Sequence, residues 1–165
     1  MPYTPVSLPP LEQKRRWYYD ACALDKNKNV PQEIINLAHQ GKVAVTSHLA
    51  IGEAFSNVLQ KSLEKENPSI LTEFVELLKG LREGSYLFVK GHDSVKEEYD
   101  LLRELSCIKS NQRIHLADMM HLATAIGFQC DQIRTSDPDL IGISGKELRE
   151  FAKTRSCHDF LCREI

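Results

Sequence analysis

The stretch "HLADMMHLATAIGFQCDQIRTSDPDL", residues 115–140, is the most informative part of the sequence for the fold. Its first half continues a predicted helix over residues 112–127 that is apolar on nearly all sides, and "CDQIRTSD", residues 130–137, is typical of a short buried strand. Asp118 stands inside this apolar helix and Asp137 at the end of the strand. An ionised carboxylate in apolar surroundings costs several kcal/mol unless it is paired, so both acids indicate a functional site.

Outward from this stretch, predicted strands and helices alternate along the chain. Apolar and β-branched runs predict the strands, and helical periodicity with Pro, Ser or Gly at the ends predicts the helices, including a helix after Ser47 as N-cap. The strands are expected at residues 15–24, 43–46 and 85–90, and the helices at 31–41, 48–66, 67–81, 93–109 and 145–165. This order predicts parallel strands joined by crossover helices, which is a layered α/β fold.

The bulk composition favours one soluble domain. The 165 residues carry a net charge of -2, so an anionic partner would need a local basic patch or a metal ion. We expect a proline-rich arm at residues 1–15, the main domain at 16–142, and a helical segment packed on it at 143–165. Five scattered cysteines and no apolar run near the length of a membrane span predict a cytoplasmic protein that does not enter a membrane.

Four acids are predicted to meet at one edge of the sheet. Asp20 and Asp137 end strands, Glu53 lies about two turns into the helix after the second strand, and Asp118 lies early in its helix. Crowded carboxylates repel each other unless a cation is bound, and oxygen ligands favour Mg²⁺ or Mn²⁺. Such a site suits in-line attack on a phosphodiester without a covalent nucleophile.

The motifs around these acids resemble those of the PIN domain family. The resemblance spans about residues 16–142 and consists of "WYYDACAL" with Asp20, "TSHLAIGEAFSNVL" with Glu53, "ADMMHLATA" with Asp118, and "IRTSDPDL" with Asp137. The last two motifs are the specific ones, because an Asp-x-x-His-Leu-Ala-Thr-Ala helix followed by Thr-Ser-Asp is rare by chance.

The resemblance implies a fold, an activity and a set of ligands. The fold is a three-layer α/β/α arrangement with a central parallel sheet, and the activity is metal-dependent cleavage of single-stranded RNA, as in the toxin of a toxin–antitoxin pair. It also implies an antitoxin protein as a partner and a homodimer. The implied Mg²⁺ or Mn²⁺ ligands and catalytic acids are Asp20, Glu53, Asp118 and Asp137, with Asp139 as an additional ligand and Thr135 as a supporting hydroxyl.

Basic residues near these motifs are candidates for RNA binding. Arg134, Arg113 and Lys26 could grip phosphates around the acids, although charged clusters are often plain solvated surface. Cys157, His158 and Cys162 are too few ligands for a zinc site.

Other interpretations of the acids and of the function remain open. A lone helical Glu such as Glu53 is often solvated, Asp137 and Asp139 could cap a turn at Pro138, and His121 could simply pack in its helix. The alternative function is a PIN-fold module that binds RNA or protein without cleaving it. A phosphoacceptor domain is disfavoured, because no acidic pair follows the first strand and no Lys-Pro lies near the end.

Overall fold

The computed structural model describes most of the chain. The described residues are 15–26, 28–91, 95–143, 145–157 and 160–165, and the side chain of Lys26 is not among them. The predicted N-terminal arm, apart from Arg15, and His158 of the predicted cysteine–histidine group therefore lie outside the described residues.

The centre of the molecule is a parallel sheet whose described strands number five. The strands are β1 (Arg16–Tyr19), β2 (Val43–Ser47), β3 (Leu87–Lys90), β4 (Cys130–Thr135) and β5 (Leu161–Glu164). Their order across the sheet is β3-β2-β1-β4-β5, and every neighbouring pair is parallel. The predicted central parallel sheet is confirmed, with β1 in the middle and its carboxyl end beside the carboxyl end of β4.

Helices cover the sheet and connect its strands. They are α1 (Ala21–Lys26), α2 (Val30–His39), α3 (His48–Glu64), α4 (Ser69–Glu83), α5 (Lys96–Leu102), α6 (Ser106–Lys109), α7 (Leu116–Gly127), α8 (Pro138–Ile141) and α9 (Lys146–Lys153). No described helix combines the length and the apolarity that crossing a membrane requires.

The two faces of the sheet bury two separate cores. Side chains alternate along a strand, so Tyr18 and Tyr19 of β1 point to opposite faces. Tyr18 joins a core that includes Leu122 and Ile126 of α7, and Tyr19 joins a core that includes Ile34 of α2. With helices against both cores, the α/β fold with three layers is confirmed.

Two predicted elements are shorter than expected because side-chain hydrogen bonds interrupt them. The first strand ends at Tyr19, since the Asp20 carboxylate accepts a hydrogen bond from the backbone N–H of Ala23 at 2.9 Å and begins α1. The predicted helix at 93–109 is divided into α5 and α6. Glu147 of α9 accepts hydrogen bonds from the first N–H groups of α6, so a residue distant in sequence fixes that break.

The C-terminal segment differs most from its prediction. Residues 161–164 form β5 rather than a helix, and β5 pairs with β4. Phe160 and Cys162 are buried in the core beside α7. The edge of β4 presents unpaired backbone donors and acceptors, and satisfying them outweighs the helical periodicity of a short polar segment.

Candidate acidic site

Asp20 lies directly after β1, at the carboxyl end of the sheet, and is only 2% exposed. Its Oδ1 accepts the hydrogen bond from Ala23, and its Oδ2 accepts one from Thr135 Oγ1 at 2.5 Å. Thr135 ends the adjacent strand β4, and its Oγ1 also accepts a hydrogen bond from the backbone N–H of Asp137 at 2.9 Å. The ends of β1 and β4 are therefore joined through the Asp20 carboxylate.

Asp118 and Asp137 lie at the N-termini of helices. Asp118, 7% exposed, is in the first turn of α7, and its Oδ2 accepts a hydrogen bond from the backbone N–H of His115 at 2.9 Å. Asp137 caps α8 by accepting from the backbone N–H of Asp139 at 2.9 Å. Capping is a structural role for each carboxylate, and each carboxylate oxygen has a second lone pair for another partner.

The electrostatics of these acids indicate that they lie close together. Burial raises the pKa of Asp20 to about 6; the hydrogen bonds from Thr135 and Ala23 and the nearby His121 lower it, while the charge of Asp137 raises it. Burial also raises the pKa of Asp118, and the same Asp137 charge raises it further. Thr135 Oγ1 contacts both the Asp20 carboxylate and the backbone N–H of Asp137, and we call Asp20, Asp118 and Asp137 the acidic cluster.

Glu53 reaches this edge through a histidine. His121 of α7 is buried, and its Nε2 lies 2.9 Å from Glu53 Oε2 on α3, whose side chain is 33% exposed. The other ring nitrogen, Nδ1, lies 2.7 Å from the hydroxyl of Tyr18, which lies 2.8 Å from Ser47 Oγ. Ser47 in turn accepts a hydrogen bond from the backbone N–H of Ala50 and caps α3, as predicted.

With a neutral His121 imidazole, this chain of side chains has one arrangement that satisfies every member. Burial raises the pKa of Tyr18 well above its ordinary value, so the phenol keeps its proton. Ser47 then donates to Tyr18, Tyr18 donates to His121 Nδ1, and His121 Nε2–H donates to the Glu53 carboxylate. The result is a fixed position for Glu53 at the rim of the acidic cluster.

The donors suit a hard divalent cation in their chemistry. Asp20, Asp118 and Asp137 offer carboxylate oxygens only. Burial and the charge of Asp137 raise the pKa of Asp20 and Asp118, and a nearby positive charge would offset both effects. Within the described residues, however, no group of three His, Cys, Asp or Glu side chains is close enough to hold a metal by itself. A cation at this edge would have to keep several of its own waters, as Mg²⁺ usually does in proteins.

The predicted basic residues have different positions. Arg134 of β4 is held by Glu33 of α2, with Nε–Oε1 at 2.9 Å and a second hydrogen bond from NH2 to Oε2 at 3.1 Å. Arg113 is exposed and lies two residues before His115. The side chain of Lys26 lies outside the described residues. Arg134 is therefore already engaged in an ion pair rather than facing the acids alone.

Sequence reasoning missed the role of two buried residues. His121 lies three residues after Asp118, a spacing that places both on one face of α7, but a histidine at that spacing is also common in a packed helix. The sequence around Tyr18 indicates only that it lies in a strand, and nothing in it predicts a contact with His121. Only the tertiary contacts reveal that both residues lead to Glu53.

The arrangement places the buried carboxylates of Asp20 and Asp118 and the half-buried carboxylate of Asp137 at one sheet edge, with Glu53 joined to it through His121. Its chemistry is assigned from these residues, since no protein-family model and no curated protein matches the chain.

Proposed function

We propose that this protein is a Mg²⁺- or Mn²⁺-dependent endoribonuclease acting on single-stranded RNA, in the manner of PIN-family nucleases. One observation carries the proposal: Thr135 Oγ1 donates to the Asp20 carboxylate and accepts from the backbone N–H of Asp137, which brings two of the predicted acids to one sheet edge. Burial and the charge of Asp137 raise the pKa of both Asp20 and Asp118. Natural chains retain such mutual repulsion chiefly where function requires it.

The residues of the cluster have distinct roles in this proposal. Asp20, Asp118 and Asp137 would hold the cation together with its own waters, and Thr135 keeps the Asp20 carboxylate in one orientation. When bound, the cation supplies charge stabilisation to the phosphodiester and makes a nearby water more acidic. Glu53, fixed by His121 and a third exposed, is available to take a proton from the attacking water.

The experiment is cleavage of a labelled single-stranded RNA with Mn²⁺, with Mg²⁺ and with EDTA. We expect cleavage with either metal, none with EDTA, and a loss on the order of 100-fold or more in Asp118→Asn. Glu104→Gln is the matched control, because it neutralises an exposed acid that pairs with Lys109 away from the cluster. Undiminished cleavage by purified Asp118→Asn would contradict the proposal.

A second function is favoured by a different observation. Asp20, Asp118 and Asp137 all accept backbone hydrogen bonds at helix N-termini, so each has a structural reason to be where it is. A PIN-fold module that binds RNA or protein without cleaving it would need no more than that. RNA affinity that is unchanged in Asp118→Asn, together with no cleavage by the wild type, would favour this second function.

A further inference from the structure

A pocket separate from the acidic cluster lies between α2 and the strands β1 and β4. It has a volume of about 500 Å³, within the range of small-molecule sites. Trp17 and Leu37 supply its apolar surface, and Arg134 and Glu33 supply a charged pair. The remaining lining is carboxamide, from Asn29, Gln32, Asn36 and Gln40.

The four carboxamides follow the spacing of one helix face. Gln32 and Asn36 lie on α2, and Asn29 and Gln40 are the residues that flank it, so the three- and four-residue spacing places all four side chains along one side of the helix. Gln32 Nε2 donates to Asn36 Oδ1 at 3.0 Å, which orients both amides. A carboxamide both donates and accepts, so this wall can match a ligand edge that carries donors and acceptors together.

The opposite wall is planar and rigid. The guanidinium of Arg134 lies 5.5 Å from the centroid of the Trp17 ring. Two hydrogen bonds to Glu33 and one to the backbone carbonyl of Glu164 at 3.1 Å fix that guanidinium. Tyr19 also donates its hydroxyl to Glu33 at 2.7 Å, so both members of the ion pair are held in place.

These features select the chemistry of the ligand. Glu33 offsets the charge of Arg134 within the lining, while Lys42 Nζ, 4.9 Å from the centroid of the Trp17 ring, adds a positive charge beside the pocket. Aromatic rings and guanidinium planes stack on flat rings, and Asn and Gln side chains recognise the hydrogen-bonding edges of bases. We propose that this pocket binds a nucleobase, through stacking at Trp17 or Arg134 and edge recognition by Gln32 and Asn36.

The pocket and the acidic cluster lie on opposite faces of the sheet and approach each other at the carboxyl ends of β1 and β4. The backbone N–H of Asp20 donates to the carbonyl of Arg134 at 3.3 Å, and Thr135, which holds the Asp20 carboxylate, directly follows Arg134. Resting on the proposed ribonuclease function, the pocket would hold one base of the same RNA strand whose backbone reaches the acids. A free mononucleotide has the same base chemistry and is the other source of such a ligand.

Fluorescence offers a direct test, because Trp17 is the only tryptophan in the chain. The intact protein is titrated in EDTA with the four nucleoside monophosphates and with short uridine and adenosine oligonucleotides, using free N-acetyltryptophanamide to correct for absorption by the ligand. We expect saturable quenching, and base binding that is roughly 5- to 100-fold weaker in Gln32→Leu and Asn36→Leu.

The control variant is Gln60→Leu. Gln60 Nε2 donates to Glu64 four residues on, as Gln32 does to Asn36, but on α3 away from the pocket. Its quenching curve should match the wild type. A mononucleotide that saturates as tightly as the oligonucleotides identifies a free nucleotide as ligand, and an oligonucleotide at least about tenfold tighter identifies a base within a strand.

Three results would overturn the nucleobase site: no quenching by any of these ligands, equal quenching in Gln32→Leu and wild type, or equal quenching by a simple sugar such as glucose. The EDTA titration is independent of cleavage. Metal-dependent cleavage that requires Asp118 but occurs without base-dependent quenching would leave the proposed function intact and reject the pocket. Base-dependent quenching without any cleavage would support the nucleobase pocket and reject the proposed ribonuclease function.

Discussion

Two carboxylates near the ends of β1 and β4 show opposite electrostatic designs. Asp20 is buried, and its pKa is raised by that burial and by the charge of the nearby Asp137. Glu33, on the other side of the sheet, receives two hydrogen bonds from the guanidinium of Arg134 and one from the Tyr19 hydroxyl. This fold can therefore provide a partly buried carboxylate with a cationic partner. The architecture does not require Asp20 to lie beside another acid instead.

Neighbouring residues separate the two designs. Tyr19 and Arg134 contact Glu33 on the paired side. The residues that directly follow them, Asp20 and Thr135, contact each other at the acidic cluster. Because side chains alternate across a sheet, one strand end can serve a stabilising contact and a strained site together. Mutations at Asp20 and Glu33 should therefore change stability in opposite directions.

The largest effect on stability is expected from the pH dependence of Asp20. Its folded pKa, about 6, is raised above the ordinary value of 3.8. The stability that this group contributes is fully present below its unfolded pKa and is lost as pH rises through the folded pKa. In EDTA, the free energy of unfolding should thus fall between about pH 4 and pH 6, by up to roughly 3 kcal/mol from this group.

The measurement is urea unfolding of the wild type and of Asp20→Asn across that range. The variant lacks the ionisation, so its stability relative to the wild type should rise as pH increases from about 4 to 6. Asp118→Asn should show the same sign, because the pKa of Asp118 is also raised. A constant difference at all pH values, with Asp20→Asn always less stable, would identify Asp20 as only the cap of α1.

The next effect concerns Mn²⁺ and the cluster as a whole. A ligand that binds only the folded state stabilises it by about 2.7 kcal/mol at 100 times its Kd. We expect Mn²⁺ to raise the Tm of the wild type and to change that of Asp118→Asn far less, because the variant removes a carboxylate from the cluster. Thermal melting with EDTA and with millimolar Mn²⁺ measures this.

Glu104→Gln is the control for binding of Mn²⁺ to acids on the surface outside the cluster. Glu104 is exposed and pairs with Lys109 at 2.7 Å, so its loss should leave the Mn²⁺ response equal to that of the wild type. If Asp118→Asn responded to Mn²⁺ as fully as Glu104→Gln does, the cluster would not be a cation site.

Sequence patterns predicted the sheet and the positions of the acids because both depend on local order. An apolar strand that ends in Asp places that acid at a predictable edge, which is why Asp20 and Asp137 were found beside Thr135. The chain of contacts from Ser47 to Glu53 through Tyr18 and His121 joins four elements, and no spacing along the sequence encodes it.

Pairings between distant residues explain the remaining differences. Glu33 and Arg134 are 101 positions apart, so the sequence indicated a basic residue for RNA without indicating its partner. The cap from Glu147 that divides the helix at 93–109, and the β4 edge that recruits residues 161–164 as a strand, are likewise long-range. In the last two cases tertiary hydrogen bonding outweighed the local helix propensity.

The smallest effect tests the paired side of the comparison. Glu33→Gln keeps an oxygen for the Tyr19 hydroxyl but removes the charge opposite Arg134, whose side chain is 15% exposed. An uncompensated, largely buried guanidinium destabilises a fold, and partial solvent access reduces the cost. We expect a loss of about 1–2 kcal/mol in the free energy of unfolding, measured by urea unfolding near neutral pH.

Asp100→Asn is the matched control, because Asp100 pairs with Lys96 four residues before it on α5 and both side chains are well exposed. That variant should lose less than about 0.5 kcal/mol, as exposed helical ion pairs do. The decisive comparison is with Asp20→Asn in EDTA at the same pH, which should gain stability while Glu33→Gln loses it. If both variants changed stability in the same direction, the carboxylates at Asp20 and Glu33 would be equally well paired. The contrast between the two sides of the sheet would then be wrong.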